Sequence, residues 1–317
     1  MVGDGPGRRR VLIIGWGFIG SAIGRHLLAR GATVGALTRS RTAHSDAALV
    51  AGANIVVGDP SQVELLDRAL QDVTDVVFSV GGMSPPATAA HPGTAVVKAL
   101  VPLVSVLEAV RQRPHVTLTY LSSGGTVYGN PARLPVRETD PTEPISPYGA
   151  LHLACEDYAQ MYSRRCGMRL QILRCANVYG PSQANSGDQG AVAIFLDRVS
   201  RGLPLQIFGD GSALRDYVFV DDVADVAARL IGGGVEAGVV NVGSGSGLTV
   251  LEIANAIGDV AGCRPVIEFV PDRGIDVRAV VLDISRLQSF IPYTPTVFAQ
   301  GLRMTSMASR PLSTPTV

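Results

Sequence analysis

The sequence predicts an α/β protein built on a doubly wound parallel sheet, followed by a smaller C-terminal α/β lobe. Three observations carry this expectation. Short apolar runs alternate with amphipathic stretches through the first half of the chain, the rhythm of strand–helix–strand units. The first apolar run ends in a glycine-rich turn that opens a helix. After Arg174 the rhythm loosens into segments rich in Gly, Pro, Ser and Asn, with shorter helices between them.

Taken in order, strands are expected at 10–14, 33–38, 54–58, 75–79, 116–121 and 169–174. Helices are expected at about 18–30, 62–71, 94–112 and 148–165, each long enough to cross over the sheet, then at 188–201, 221–232 and 249–261. The resulting organisation is a flexible leader over 1–9, a sheet domain over 10–175 with returning segments from about 212–245, and a lobe over 176–302 that caps the site. Residues 303–317 lack periodicity and are expected to form a flexible tail.

With 317 residues, 46% of them hydrophobic, the chain can bury a large core. Its 27 basic and 27 acidic residues cancel, and no basic stripe stands out, which argues against a nucleic-acid surface or a polybasic membrane patch. The expected partners are small molecules or copies of itself. Cys155, Cys166, Cys175 and Cys263 are too few and too irregularly spaced for a disulfide framework and have no His neighbours at ligand spacing, so reduced thiols and no metal site are expected. The apolar run near the start, Val11 to Ile14, is too short for a membrane span, and a cytoplasmic location is expected.

The first chemical motif is Gly15-Trp16-Gly17-Phe18-Ile19-Gly20, between an apolar strand and an amphipathic helix. Glycines there permit a tight turn and bring backbone N–H groups against a pyrophosphate, the arrangement of a Rossmann-type site for NAD or NADP. At the end of the second strand, where a carboxylate would hold the ribose of NAD, the chain reads Leu37-Thr38-Arg39-Ser40-Arg41. Arg39 or Arg41 suits a 2′-phosphate instead, which tips the expectation toward NADP. Asp59 stands either where the adenine amino group is accepted or as an N-cap of the next helix.

The most informative stretch is Leu121-Ser122-Ser123-Gly124-Gly125-Thr126-Val127-Tyr128-Gly129, followed by Ser146-Pro147-Tyr148-Gly149-Ala150-Leu151-His152. Ligands of open α/β sheets lie outside the carboxyl ends of the strands, so Ser122, Ser123, Thr126 and Tyr148 should converge on the nicotinamide. Tyr148 and His152, four apart, share a helical face.

Together with Leu173-Arg174-Cys175-Ala176-Asn177-Val178-Tyr179-Gly180-Pro181, Arg215-Asp216-Tyr217-Val218-Phe219-Val220-Asp221-Asp222-Val223 and Val240-Asn241-Val242-Gly243-Ser244-Gly245, these segments resemble the extended short-chain dehydrogenase/reductase family. Within it they are most similar to the nucleotide-sugar epimerases and dehydratases, UDP-glucose 4-epimerase-like members included. The resemblance implies that Tyr148 is the acid/base and that a hydroxyl among Ser122, Ser123 and Thr126 assists it. It also implies that Asn177 contacts the sugar, that Arg215 and Arg273 grip the pyrophosphate, and that two chains dimerise through the helices 94–112 and 148–165. Leu100, Val104 and Leu107 give the first of these an apolar stripe, which equally suits packing on the sheet. Asp216, Asp221 and Asp222 are read as structural, with Asp222 capping the helix that follows.

The chain departs from the family where its catalytic pair is a tyrosine with a lysine four residues later, because His152 stands at the lysine position. With an ordinary pKa near 6.5, a histidine there would be only partly charged at neutral pH and would ionise Tyr148 less readily. Gly124 falls where many epimerases carry the assisting hydroxyl. The dehydratases' Thr-Asp-Glu is absent at Gly124-Gly125-Thr126, so sugar 4,6-dehydration is not expected. Ser79-Val80-Gly81-Gly82-Met83 also differs from the family's usual segment there, with Met83 either core filler or pocket lining. The expected activity is epimerisation of a nucleotide-linked hexose through a transient 4-keto sugar. The alternatives are NADPH-dependent reduction of a nucleotide-bound 4-keto sugar and binding of a dinucleotide or nucleotide sugar without turnover.

Overall fold

The computed structural model describes residues 9–41, 44, 46, 49, 52–81, 83–183 and 189–309. Strands β1 (Arg10–Ile14), β2 (Thr33–Thr38), β3 (Asn54–Val57), β4 (Asp75–Phe78), β5 (Thr117–Ser123), β6 (Arg169–Cys175) and β10 (Gly238–Val242) form one seven-stranded sheet in the order β10-β6-β5-β4-β1-β2-β3. Every pairing in it is parallel. The strand alternation is visible in β1, where Val11 and Ile13 enter one apolar core and Leu12 and Ile14 the other. A strand segment buried on both faces must be apolar, and this one is from Val11 to Ile14.

Helices α1 (Phe18–Ala29), α2 (Val63–Ala69), α3 (Pro85–Ala90), α4 (Pro92–Val110) and α5 (Pro147–Cys166) connect these strands. Helix α4 is long and apolar enough to cross a membrane by length and composition. Its Leu103, Val106, Leu107 and Val110 are instead buried in the second core, and it packs on α5. Leu100 and Val104 are half-buried, and the exposed apolar positions of α4 are Val96, Val97 and Val101.

The second half of the chain carries β7 (Asn177–Tyr179), α6 (Ala191–Ser200), β8 (Leu205–Phe208), β9 (Leu214–Phe219), α7 (Val220–Gly233), β11 (Gly247–Thr249), α8 (Val250–Ala261), β12 (Ile267–Val270), β13 (Ala279–Val280), α9 (Ser285–Phe290) and α10 (Phe298–Ser309). Strands β7, β11 and β13 flank β9 in a second sheet, β8 pairs with β12, and a third apolar core fills the space between these strands and α6, α8 and α10. Helix α7 returns to pack on α1.

Three expectations need correction. The stretch from 303 continues α10 to Ser309, with Leu302 and Thr305 buried and Gly301 so close to the Tyr179 hydroxyl that a Cβ would stand 2.3 Å from it. Residues 310–317 lie outside the described residues, as do residues 1–8 of the expected leader. Arg9 is not loose: its guanidinium pairs with the buried Asp75 carboxylate at 3.3 Å, and its carbonyl accepts from Thr33 N. Asp222 does not cap α7, which starts at Val220; it accepts hydrogen bonds from Thr296 N and Oγ1 at 2.7 and 2.8 Å, tying down the segment that leads into α10.

Candidate active site

The glycine turn between β1 and α1 has the local geometry its spacing implies. Gly15 has φ +96°, and a Cβ there would lie 2.9 Å from the Ser79 backbone. At Gly20 a Cβ would come within 2.2 Å of the Gly15 carbonyl oxygen, whereas at Gly17 it would meet nothing within 4 Å. The first and third glycines therefore close the turn, and the second leaves open space at the start of α1. Gly17 makes no side-chain cap and the first turn holds no acidic residue, so the free N–H groups and the positive end of the helix dipole face that space. A pyrophosphate fits this cradle.

Beside it lies a cleft of about 1050 Å³ at the carboxyl end of the large sheet, roofed by the second half of the chain. Phe18, Ile19, Ser122, Ser123, Thr126, Tyr148, His152, Asn177, Arg215 and Arg273 all line it, so these expected site residues converge; Met83 does not line it. Arg39 and Arg41 are exposed at the end of β2, and Asp59 is exposed after β3. Asp59 accepts from Ser61 N at 2.8 Å in a turn, while the N-cap of α2 is Gln62.

Ser146 caps α5 by accepting from Gly149 N at 3.2 Å, and Pro147 takes the first helical position, which places Tyr148 in the first turn. Burial pushes the Tyr148 phenol up to about 12, while hydrogen bonds with Gln189 and Ser123 pull the other way. Thr126 Oγ1 donates to Ser123 Oγ at 2.8 Å, so a chain of hydroxyls leads to the tyrosine. Gly124 has no room for a hydroxyl-bearing side chain, since a Cβ would lie 2.8 Å from the Arg174 carbonyl oxygen.

One turn further on, His152 is 7% exposed, its ring edge-on to Tyr148 with centroids 4.6 Å apart. Its Nδ1 lies 2.8 Å from the Tyr120 hydroxyl. Burial lowers its pKa to about 4, so the imidazole is neutral at pH 7. The chain's single lysine, Lys98, lies on α4 away from the cleft, so no ammonium replaces it.

Ser122 turns its hydroxyl to Glu156, a fully buried carboxylate held by the guanidinium fork of Arg174 at 2.7 to 3.1 Å. Arg174 also donates to the Tyr128 hydroxyl at 2.9 Å, and Tyr128 donates to Asn241 Oδ1 at 2.7 Å. This network joins β5, α5, β6 and β10 beneath the site. Sequence reasoning missed it, although the signals were there: Glu156 continues the 148, 152 spacing, and Arg174 interrupts an apolar strand.

On the opposite wall Asn177 Nδ2 donates to the Asp216 carbonyl at 3.0 Å, and Arg215 donates to the Leu214 and Arg278 carbonyls. Arg273 stacks on the Phe208 ring at 4.2 Å and forks onto Asp276. The Asp216 carboxylate is structural: it accepts from Ser244 N and Oγ, Gly245 N and Leu282 N. Asp221 pairs with Arg25 and His26 on α1.

Among known proteins, the model of the NAD dependent epimerase/dehydratase family matches residues 11–243. The chain is 39% identical over 207 residues to a UDP-glucose 4-epimerase of Mycolicibacterium smegmatis, covering 65% of this chain and 66% of that one, just under two thirds of its length. It is 31% identical over 307 residues to a UDP-glucose 4-epimerase of Azospirillum brasilense, covering 90% and 87%. Its fold superposes on the crystal structure of the Thermus thermophilus UDP-glucose 4-epimerase in complex with NAD with a TM-score of 0.87 at 35% identity, covering 94% and 98% of the two chains.

Proposed function

Because the chain belongs to the NAD dependent epimerase/dehydratase family, we propose that it is an epimerase that inverts a hydroxyl-bearing carbon of a nucleotide-diphosphate sugar through a transient keto sugar. The observation that carries this reading is the convergence of Tyr148, Ser123, Asn177, Arg215 and Arg273 on one cleft, against the glycine turn at α1. The turn and the α1 N-terminus hold the pyrophosphate of NAD or NADP, and exposed Arg39, with no carboxylate beside it on β2, gives a 2′-phosphate its partner. When bound, the nicotinamide supplies a hydride acceptor that returns the hydride later.

The chain's own groups do the rest. Tyr148, as the phenolate, takes the hydroxyl proton of the sugar and later gives it back, the Thr126–Ser123 hydroxyl pair stabilises the phenolate before the first transfer and after the second, and Asn177 orients the sugar. Arg215 and Arg273 hold the sugar-nucleotide diphosphate with planar charge-assisted hydrogen bonds. Two chains associate in a cytoplasmic homodimer through α4 and α5, whose exposed Val97, Val101 and Tyr158 supply the apolar contact.

A second reading, NADPH-dependent reduction of a nucleotide-bound keto sugar, is favoured by one observation. A phenol at about 12 beside a neutral imidazole rests protonated, the form that protonates a new alkoxide. Denaturing purified protein and identifying the released dinucleotide separates the two. Near-stoichiometric dinucleotide, with epimer formed from UDP-, dTDP- or GDP-hexoses and no net cofactor consumption, supports the epimerase. Stoichiometric oxidation of added NADPH by a keto sugar supports the reductase. Ligand binding without turnover over the whole panel refutes both.

A further inference from the structure

We propose that Tyr120 is a positioning residue: its hydroxyl, 2.8 Å from Nδ1 of His152, holds that imidazole with its proton on Nε2 and so presents one uncharged N–H donor to the cleft, where it meets a hydroxyl of the bound dinucleotide. This rests on the reading that the cleft takes a dinucleotide, and it concerns how this chain serves a position that has no lysine.

Tyr120 lies in the middle of β5, fully buried, with the Phe78 ring on one side and the His152 ring on the other at centroid distances of 6.1 and 6.2 Å. An apolar ring would fill that space. A tyrosine there carries a hydroxyl that must find a partner away from water, and the partner it has is His152. Of the two neutral groups the phenol is the stronger acid and the imidazole nitrogen the stronger base, so the O–H donates and Nδ1 accepts. The neighbouring Cys155 sulfur, also buried, is a weak acceptor and does not displace the imidazole nitrogen as the partner of the phenolic proton.

With Nδ1 committed, the tautomer is fixed and the remaining proton sits on Nε2. The ring itself is clamped, by Tyr148 edge-on at 4.6 Å and by the Tyr120 hydroxyl. No hydrogen bond to Nε2 is made among the described residues, and His152 lines the cleft, so Nε2–H is the donor left for a ligand. A lysine offers three donors and a charge; the Tyr120–His152 pair offers one donor in a fixed direction and no charge. Recognition of the dinucleotide hydroxyl is thereby separated from any electrostatic effect on Tyr148.

Two readouts test this. The first is 15N NMR of ligand-free protein labelled at histidine, with the His152 signals assigned through His152→Gln among the five histidines. The expected result is a protonated Nε2 and an unprotonated Nδ1, and a change in that pattern in Tyr120→Phe; a protonated Nδ1 in the wild type overturns the proposal. The second is NADH affinity, read as energy transfer from Trp16, the chain's one tryptophan. Tyr120→Phe should weaken binding about fivefold, the worth of one ordinary hydrogen bond, and should add nothing in a His152→Ala background. An unchanged affinity in folded Tyr120→Phe, or an equal loss in both backgrounds, rejects a role acting through His152. If the wild type binds neither NADH nor NADPH, the dinucleotide reading fails by itself, while the NMR experiment still decides whether Tyr120 sets the tautomer.

Discussion

His152 presents its ring to Tyr148 edge-on, 4.6 Å between centroids and one helical turn away, and at neutral pH it carries no charge there. A cation at that distance would stabilise the phenolate, whereas a neutral imidazole leaves burial to dominate and the phenol at about 12. An activity that needs the phenolate should therefore keep rising with pH through the alkaline range. His152→Lys should move that rising limb to lower pH and raise kcat at pH 7.5 by about tenfold for each unit by which the Tyr148 pKa falls. The pH profile of kcat checks this. A variant that folds, binds dinucleotide and is slower at every pH would show that the imidazole has a chemical part of its own.

The same buried imidazole makes stability depend on pH. Its folded pKa of about 4 lies below its unfolded value near 6.5, so the unfolded chain binds a proton in that interval that the folded chain does not. The contribution is complete above pH 6.5 and is lost as pH falls toward 4, to a total of ~3 kcal/mol. The raised carboxylates of Asp75, Asp216 and Asp222 act in the opposite sense over the acid range, so the difference between variants is the useful quantity. Urea unfolding at pH 7 and pH 4.5 should show wild type losing more stability than His152→Gln.

Glycines 15 and 17 separate folding from binding. Gly15→Ala must adopt φ +96° with its Cβ against the Ser79 backbone, at a cost of about 1–3 kcal/mol, and should lower the melting temperature. Gly17→Ala meets nothing within 4 Å and should melt as wild type does, yet its methyl group stands in the space assigned to the pyrophosphate. NADH affinity should fall at least tenfold in both, with a changed melting temperature only in Gly15→Ala. Trp16, fully buried with its indole N–H on the His44 carbonyl, is the fluorescence donor for that titration.

Beneath the cleft, Glu156 and Arg174 are a pair whose value lies in being intact. Removing one partner strands a buried charge, and Glu156→Gln should cost about 3 kcal/mol in urea unfolding because Arg174 is left with only neutral acceptors. A Glu156→Met, Arg174→Met double variant should recover much of that loss. If the single variant unfolds at the wild-type midpoint, the pair is dispensable.

The large sheet was legible in the sequence because most of its strands carry short apolar runs between long helical stretches, so period and run length point the same way in β1, α1 and α4. Tyr148, Asn177 and Arg215 were legible because each belongs to a recognisable motif, and Arg273 because the family resemblance implies it. Helix α10 was not: its Gly301 and Ser309 lower helix propensity, and what orders it is tertiary, the packing of Leu302 and the close approach of Gly301 to Tyr179. Asp222 was misread for a related reason. Its position at the start of a helix matches a cap, but its partner, Thr296, lies 74 residues away and leaves no local trace. Tyr120 was passed over because a tyrosine in a buried strand looks like core until its hydroxyl is seen to meet His152.

Arg273 offers the cleanest test of the nucleotide-sugar reading. Its only ion pair among the described residues is with Asp276, three positions along the same loop, and both side chains are about one third exposed. Such a pair contributes at most ~1 kcal/mol to folding, so Arg273→Ala should leave the melting temperature nearly unchanged. A guanidinium on a diphosphate is worth more, about 1.5–3 kcal/mol, or roughly a tenfold to hundredfold loss of affinity. Titration calorimetry with UDP should show that loss in Arg273→Ala, and should show it grow smaller at high salt as the charge is screened. Arg215 is more buried and donates to two backbone carbonyls, so Arg215→Ala should lose stability as well as affinity. Unchanged UDP binding in Arg273→Ala would remove the diphosphate from this wall of the cleft, and with it the strongest argument that the ligand is a nucleotide sugar.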